Sequence, residues 1–201
     1  MKGNETTDKT NNREIILENA LHLFYLKGYD AVSVQEIVEL SNITKPTLYY
    51  YFKSKSGLLQ CLLEEKVNTF NKELWNEAHF DGDLIATLTR IAKLYLRVAS
   101  HQKELFFFMN TLSYSSRESE MYQAVCPYIK NQFAAVHSVF DKASYQLGNM
   151  SGRQEQFAVS FIGILTQYSL YYYETDKNVE ELYNDHTAYL LVHQFMHGIY
   201  S

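Results

Sequence analysis

Thr44-Lys45-Pro46-Thr47-Leu48-Tyr49-Tyr50-Tyr51-Phe52-Lys53-Ser54-Lys55-Ser56-Gly57-Leu58-Leu59 is the stretch on which the fold turns. Thr44 is a residue type that accepts from the free N–H groups at a helix start. Pro46 falls in the first turn, where a missing N–H costs nothing. The spacing predicts a short helix through residues 47–52. Lys53-Ser54-Lys55 ends it, and Ser54 is placed to cap a longer helix running to about residue 78. A helix of two turns does not persist alone in water. Leu48 and Phe52 must therefore be buried, which leaves lysine, threonine and tyrosine side chains outward.

The residues upstream supply what these must pack on. Ile16, Leu17, Ala20, Leu21 and Phe24 recur with the period of an amphipathic helix, and Gly28 stops it as a C-terminal cap glycine does. Ser33 followed by Glu36 is a capping box. It opens a second short helix holding Ile37 and Val38, and Ser41-Asn42-Ile43 makes a tight turn into the third. Ile37, Val38, Ile43, Leu48 and Phe52 are the expected core against helix one. Three helices with so short a turn between the last two form a helix-turn-helix.

Charge agrees in its distribution rather than its total. The 201 residues carry a formal charge of −5, which argues against a generally adhesive nucleic-acid binder. Residues 1–60 carry seven basic and seven acidic side chains, whereas 61–201 carry 11 and 16. Between Glu39 and Glu64 there is no acid, and that window holds Lys45, Lys53 and Lys55. A local positive window in an acidic protein suits an anion-facing surface, although charge alone fits an ordinary solvated face as well.

Beyond residue 80 every pattern is helical: about 84–101, a Phe-rich helix at 103–113, 117–147 with Pro127 to kink or restart it, 153–174 and 178–200. The fold class is all-α, about nine helices. The expected organisation is a disordered tail at 1–12, a helix-turn-helix domain at 13–59 and a larger helical domain at 60–201. Two Pro, two Cys and 46% hydrophobic residues exclude collagen-like chains, multi-disulfide frameworks and wholesale disorder. No apolar leader segment and no run long enough to span a bilayer is present, so a cytoplasmic protein away from membranes is expected.

The last two helices are apolar nearly all round. Phe157, Phe161, Leu165 and Tyr168 on one, with Leu182, His186, Tyr189, His193 and Met196 on the other, are read as a dimer interface. Two such helices from each of two copies make a four-helix bundle about a two-fold axis. The alternative is that both helices are merely central in one subunit's core. His186, His193 and His197 share a helix face as metal ligands do, but no fourth ligand is at hand, and no metal or cofactor is expected. No nucleophile elbow, zinc-protease motif or phosphate-binding loop occurs, so catalysis finds no support.

From Arg13 to Leu59 the chain resembles the DNA-binding domain of the tetracycline-repressor-like (TetR) family. Ile16, Leu17, Ala20, Leu21, Phe24, Gly28 and Tyr29 match in the first helix. Ser33, Val34, Ile37, Val38, Ser41 and Ile43 match through the turn. Thr47, Leu48, Tyr49, Phe52, Lys55 and Leu59 carry the most specific spacing. The resemblance implies a homodimeric transcriptional regulator, usually a repressor, that binds a near-palindromic operator and is released by a small molecule. On that basis Lys45, Pro46 and Thr47 face base edges, and Tyr49, Tyr50 and Tyr51 contact phosphates or base edges. Lys55 holds a phosphate, and Ser33, Gln35 and Thr44 touch the DNA backbone. Ser56 and Gly57 depart from the acid and helix former common there, which is expected to loosen the start of helix four. The family's architecture places an effector pocket among the middle helices. Phe106, Phe107, Met109, Tyr114, Tyr122, Phe133, His137, Phe161 and Tyr168 are candidates for its wall, suited to an apolar or aromatic molecule. The contrasting reading is an all-α small-molecule-binding protein that never touches DNA.

Overall fold

A computed structural model describes residues 4–146, 152–173 and 184–198, with side chains from residue 12 onward. These residues form helices and turns, with no strand among them. In order they are α1 (Asn4–Lys27), α2 (Val34–Leu40), α3 (Lys45–Phe52), α4 (Lys55–Leu62), a π-helical turn (Leu63–Val67) and α5 (Asn68–Glu77). Then come α6 (Leu84–His101), α7 (Lys103–Ser113), α8 (Glu120–Ala143), α9 (Gln154–Tyr173) and α10 (Asp185–His197). None is long and apolar enough to cross a membrane among the described residues.

The chain divides into two compact units. One comprises residues 1–68 and 104–126, the other 69–103 and 127–201. The first unit thus holds α1 to α4 together with α7 and the start of α8. α1 begins at Asn4. No Gly or Pro interrupts Asn4–Lys27, so a helix nucleated by the buried stripe can propagate backwards through polar residues. α8 passes through Pro127 without restarting.

In the first unit Ile16, Leu17, Ala20, Phe24, Ile37, Leu48, Phe52, Leu58, Leu59 and Leu62 are buried together. Each large side chain so buried contributes roughly 1.5–3 kcal/mol, which is what holds the seven-residue α2 and eight-residue α3 in helical form. Phe24 stacks on Phe108 of α7 with ring centres 5.6 Å apart. In the second unit α6, α9 and α10 pack around Leu88, Ile91, Tyr95, Phe140, Phe161, Leu165, Ala188 and Val192.

Candidate nucleic-acid interface

The helix-turn-helix is pinned by local hydrogen bonds that its own sequence supplies. Ser33 Oγ accepts from the Glu36 N–H at 3.2 Å, and Ser33 N–H donates to Glu36 Oε2 at 2.7 Å. Lys27 Nζ reaches the other carboxylate oxygen of Glu36 at 2.7 Å. Lys27 first, then the Ser33 backbone and hydroxyl, hold the Glu36 carboxyl down to about 2. Asn19 Nδ2 donates to Ser41 Oγ at 3.2 Å and ties α1 to the turn. Asn42 takes the left-handed conformation there, at φ 51°. Asparagine tolerates that region better than most residues.

α3 opens as expected. Thr44 caps it by accepting from the Thr47 N–H at 3.4 Å, and the two threonine hydroxyls meet at 2.9 Å. Lys45 and Pro46 are exposed, Tyr49 and Tyr50 are 43% and 65% exposed, and Leu48 and Phe52 are buried behind them. Tyr51 is half-buried, its ring 5.2 Å from Tyr50 and 6.0 Å from Phe52. The Arg13 guanidinium lies over the opposite helix end, 5.4 Å from the Phe52 ring centre, and is paired with Glu65.

The junction between α3 and α4 is tight, contrary to the loosening expected from Ser56 and Gly57. Lys53 turns the chain at φ 65°, and Ser54 Oγ accepts from the Gly57 N–H at 2.9 Å. A Cβ on Gly57 would lie 2.0 Å from the Phe52 carbonyl oxygen, so only glycine lets α4 begin this close to the end of α3. An open cleft of about 430 Å³ borders the junction, lined by Tyr51, Lys53, Ser54, Gln60, Cys61 and Glu64 among others.

Beside Ser33, Thr44 and Thr47, two more of the expected DNA contacts are partly engaged within the protein. Gln35 Nε2 donates to Glu39 Oε1 at 2.6 Å. Lys55 Nζ sits 4.2 Å from the centre of the Tyr29 ring, and desolvation lowers its pKa. The Tyr29 hydroxyl in turn donates to Glu120 Oε2 at 3.4 Å. Burial, then Glu120, pushes that phenol up to about 12. This Lys55–Tyr29–Glu120 chain links α4 to the start of α8 inside one unit. Sequence reading missed it, because a contact across 91 residues leaves no periodic trace.

The expected pocket wall draws on both units. Phe106, Phe107, Met109, Tyr114 and Tyr122 belong to the first unit, and Phe133, His137, Phe161 and Tyr168 to the second. Tyr114 is 80% exposed, out in solvent, while Phe161 fills the core against Phe140 and Phe195. Phe133 and His137 do pair, ring centres 5.6 Å apart.

On the last two helices the outward faces also differ in part. Phe161 and Leu165 are fully buried within the chain and cannot meet a second copy. α9 instead turns Val159, Gly163, Gln167 and Tyr171 outward. Phe157, Tyr168 and Met196 are half-buried, Phe157 packing on Phe140 and Phe195 and Tyr168 on Tyr172. His186, Tyr189 and His193 are exposed as read, with Leu190 beside them, while Leu182 lies outside the described residues.

Residues 16–62 match the family model for bacterial regulatory proteins, tetR family. The uncharacterized HTH-type transcriptional regulator YvkB of Bacillus subtilis (strain 168) is 26% identical over 166 residues, covering 81% of this chain and 82% of that protein. The HTH-type transcriptional repressor BdcR of Escherichia coli (strain K12) is 49% identical over 47 residues, 23% of this chain and 24% of its own. Matches to two further Bacillus subtilis regulators, YuxN and YttP, span only 31% and 45% of those relatives. The crystal structure of the Bacillus subtilis transcriptional regulator FadR in complex with stearoyl-CoA superposes with a TM-score of 0.74 at 15% identity, covering 93% of this chain and 99% of that one.

A capped, backed and acid-free α3 on an all-α frame defines a helix-turn-helix DNA-binding regulator of transcription, a class that acts by binding and not by catalysis. Over residues 16–62 the chain carries the helix-turn-helix of the tetR family of bacterial regulatory proteins.

Proposed function

We propose that the chain works as a homodimeric repressor. Two copies set α3 into successive major grooves of a near-palindromic operator, and an apolar or aromatic small molecule held by the helices beyond the DNA-binding domain releases it. The observation that carries the reading is the outward edge of α3. Lys45 and Thr47 can hydrogen-bond base edges. The exposed Tyr49 and Tyr50 hydroxyls and the helix starts at Ser33 and Thr44 suit phosphates, which fix register without reading sequence. Lys55 faces a phosphate from its place over the Tyr29 ring. Dimerisation is supported by the exposed Tyr189, Leu190 and Tyr171, which form apolar faces on α10 and α9. Release by a small molecule is supported by the FadR structure solved with stearoyl-CoA.

Footprinting on the DNA flanking the coding region tests it. Two protected patches on one face of the duplex are expected, weakened by Lys45→Ala and Tyr49→Phe. No protection at low ionic strength would leave an all-α small-molecule-binding protein that does not touch DNA.

A further inference from the structure

Among the described residues of the second unit, three buried polar atoms have no hydrogen-bond partner: Asn71 Oδ1, the Tyr95 hydroxyl and Gln132 Nε2. Asn71 and Tyr95 are 2% and 3% exposed. They stand on α5, α6 and α8, and side-chain contacts tie them to one neighbourhood. Asn71 Nδ2 donates to the Tyr128 carbonyl at 3.2 Å, so the atom left over on Asn71 is an acceptor. One turn along α5, Trp75 Nε1 donates at 2.6 Å to Asn131 Oδ1, on the residue before Gln132. The Tyr95 ring meets that of Phe70, next to Asn71, edge-on with centres 5.3 Å apart. Unmade hydrogen bonds are costly in an interior, and folded proteins leave few of them. A set of one acceptor, one donor and one hydroxyl, on three helices around the α5–α8 contact, is the complement of a ligand's polar group.

The set carries no charge. Burial alone raises the Tyr95 phenol, and no ionised side chain acts on it. These three side chains offer a carboxylate or phosphate no counter-charge, and such an anion offers no proton to Asn71 Oδ1. An alcohol or an amide satisfies all three: Gln132 donates to its oxygen, Asn71 accepts from its O–H or N–H, and Tyr95 does either.

We propose that Asn71, Tyr95 and Gln132 form the polar anchor of the effector site, and that they take an uncharged alcohol or amide group on an otherwise apolar molecule. The inference rests on the effector reading above. None of the three was among the pocket residues expected from sequence.

A matched ten-carbon series tests the anchor on the full chain: 1-decanol, decanamide, decanoate and decyltrimethylammonium, read by thermal shift and by release of the footprinted DNA. The two neutral probes are expected to raise Tm and release DNA, and the two charged ones to do neither. Tyr95→Phe removes only the unpaired hydroxyl. It is expected to fold with Tm unchanged or raised and to bind decanamide about tenfold more weakly, a difference of about 1.4 kcal/mol. Gln132→Met should weaken decanamide binding to a similar degree, and it serves if Tyr95→Phe does not fold. The anchor is overturned if the variants bind decanamide as wild type does, if the charged probes bind equally well, or if no probe binds. Release of DNA by stearoyl-CoA from wild type and Tyr95→Phe alike would discard the anchor and leave the effector reading standing. Failure of every probe and of stearoyl-CoA to release DNA would remove the effector reading itself.

Discussion

Gly57 shows how one missing methyl can position a recognition helix. Its N–H is capped by Ser54, and its Cα faces the Phe52 carbonyl at a distance no side chain allows. Alanine is the better helix former by up to about 1 kcal/mol, but that preference does not relieve a clash with backbone. Gly57→Ala is therefore expected to destabilise the protein by roughly 1–3 kcal/mol and to weaken DNA binding further by displacing the end of α3. Urea unfolding checks the first effect, and an unshifted midpoint would mean the turn opens freely. Glu36 makes the complementary case in charge. Its carboxyl is held at about 2 in the folded chain, against an ordinary value of 4.5. A lowered folded pKa means the cap's contribution is complete above about pH 4.5 and is lost as pH falls from there through about 2. Glu36→Gln should flatten the fall in urea midpoint across that window, and an identical pH profile would show that the Lys27–Glu36–Ser33 cluster adds nothing.

At the scale of elements, legibility followed the range of the interaction. Both short helices were readable because their signals are local: a cap at Ser33 with Glu36 three residues on, a cap at Thr44, and Leu48 and Phe52 one turn apart. The polar run at 4–12 carries no amphipathic signal, because composition reports solubility, whereas helix propagation needs only an adjoining nucleus and no breaker. α9 misled for another reason. A helix apolar all round has no unique inward face, so sequence could not say that Phe161 and Leu165 turn inward while Val159 and Tyr171 turn out. The exposure of Lys45, Tyr49 and Tyr50 follows from local pattern, but the internal engagements of Gln35 and Lys55 depend on neighbours that local pattern does not register. The outward face of α10 then carries a direct expectation. Leu190 is 50% exposed and lies away from the buried Ala188, Leu191 and Val192. Leu190→Asp should spare folding but place a charge in the apolar bundle between copies, halving the mass seen by light scattering at micromolar protein. A mass unchanged from wild type would move the interface off this face.

For the whole molecule, the relevant quantity is where its charge lies. Residues 61–201 hold the entire net charge of −5, so the long-range field repels DNA and attraction is confined to the acid-free window around α3. A dimer would offer two such windows about 34 Å apart or at a multiple of the helical turn. Few lysines then govern the salt dependence, and they are not equivalent. Lys45 is exposed and free to reach a phosphate or a base, whereas Lys55 is half-buried over Tyr29. Such a cation–π contact is worth about 0.5–2 kcal/mol, which Lys55 gives up if it turns to the DNA. If Lys45 meets a phosphate rather than a base in each copy of a dimer, Lys45→Ala should reduce the slope of log affinity against log salt by about 2, one per lost phosphate contact. Lys55→Ala should reduce it by less, because its charge is shared with the Tyr29 ring, while lowering the urea midpoint through the lost ring contact. Fluorescence anisotropy on the footprinted operator between about 50 and 200 mM salt separates the two. Equal slopes for both variants would mean that Lys55 leaves Tyr29 completely on binding, and that the Lys55–Tyr29–Glu120 chain is broken in the bound state.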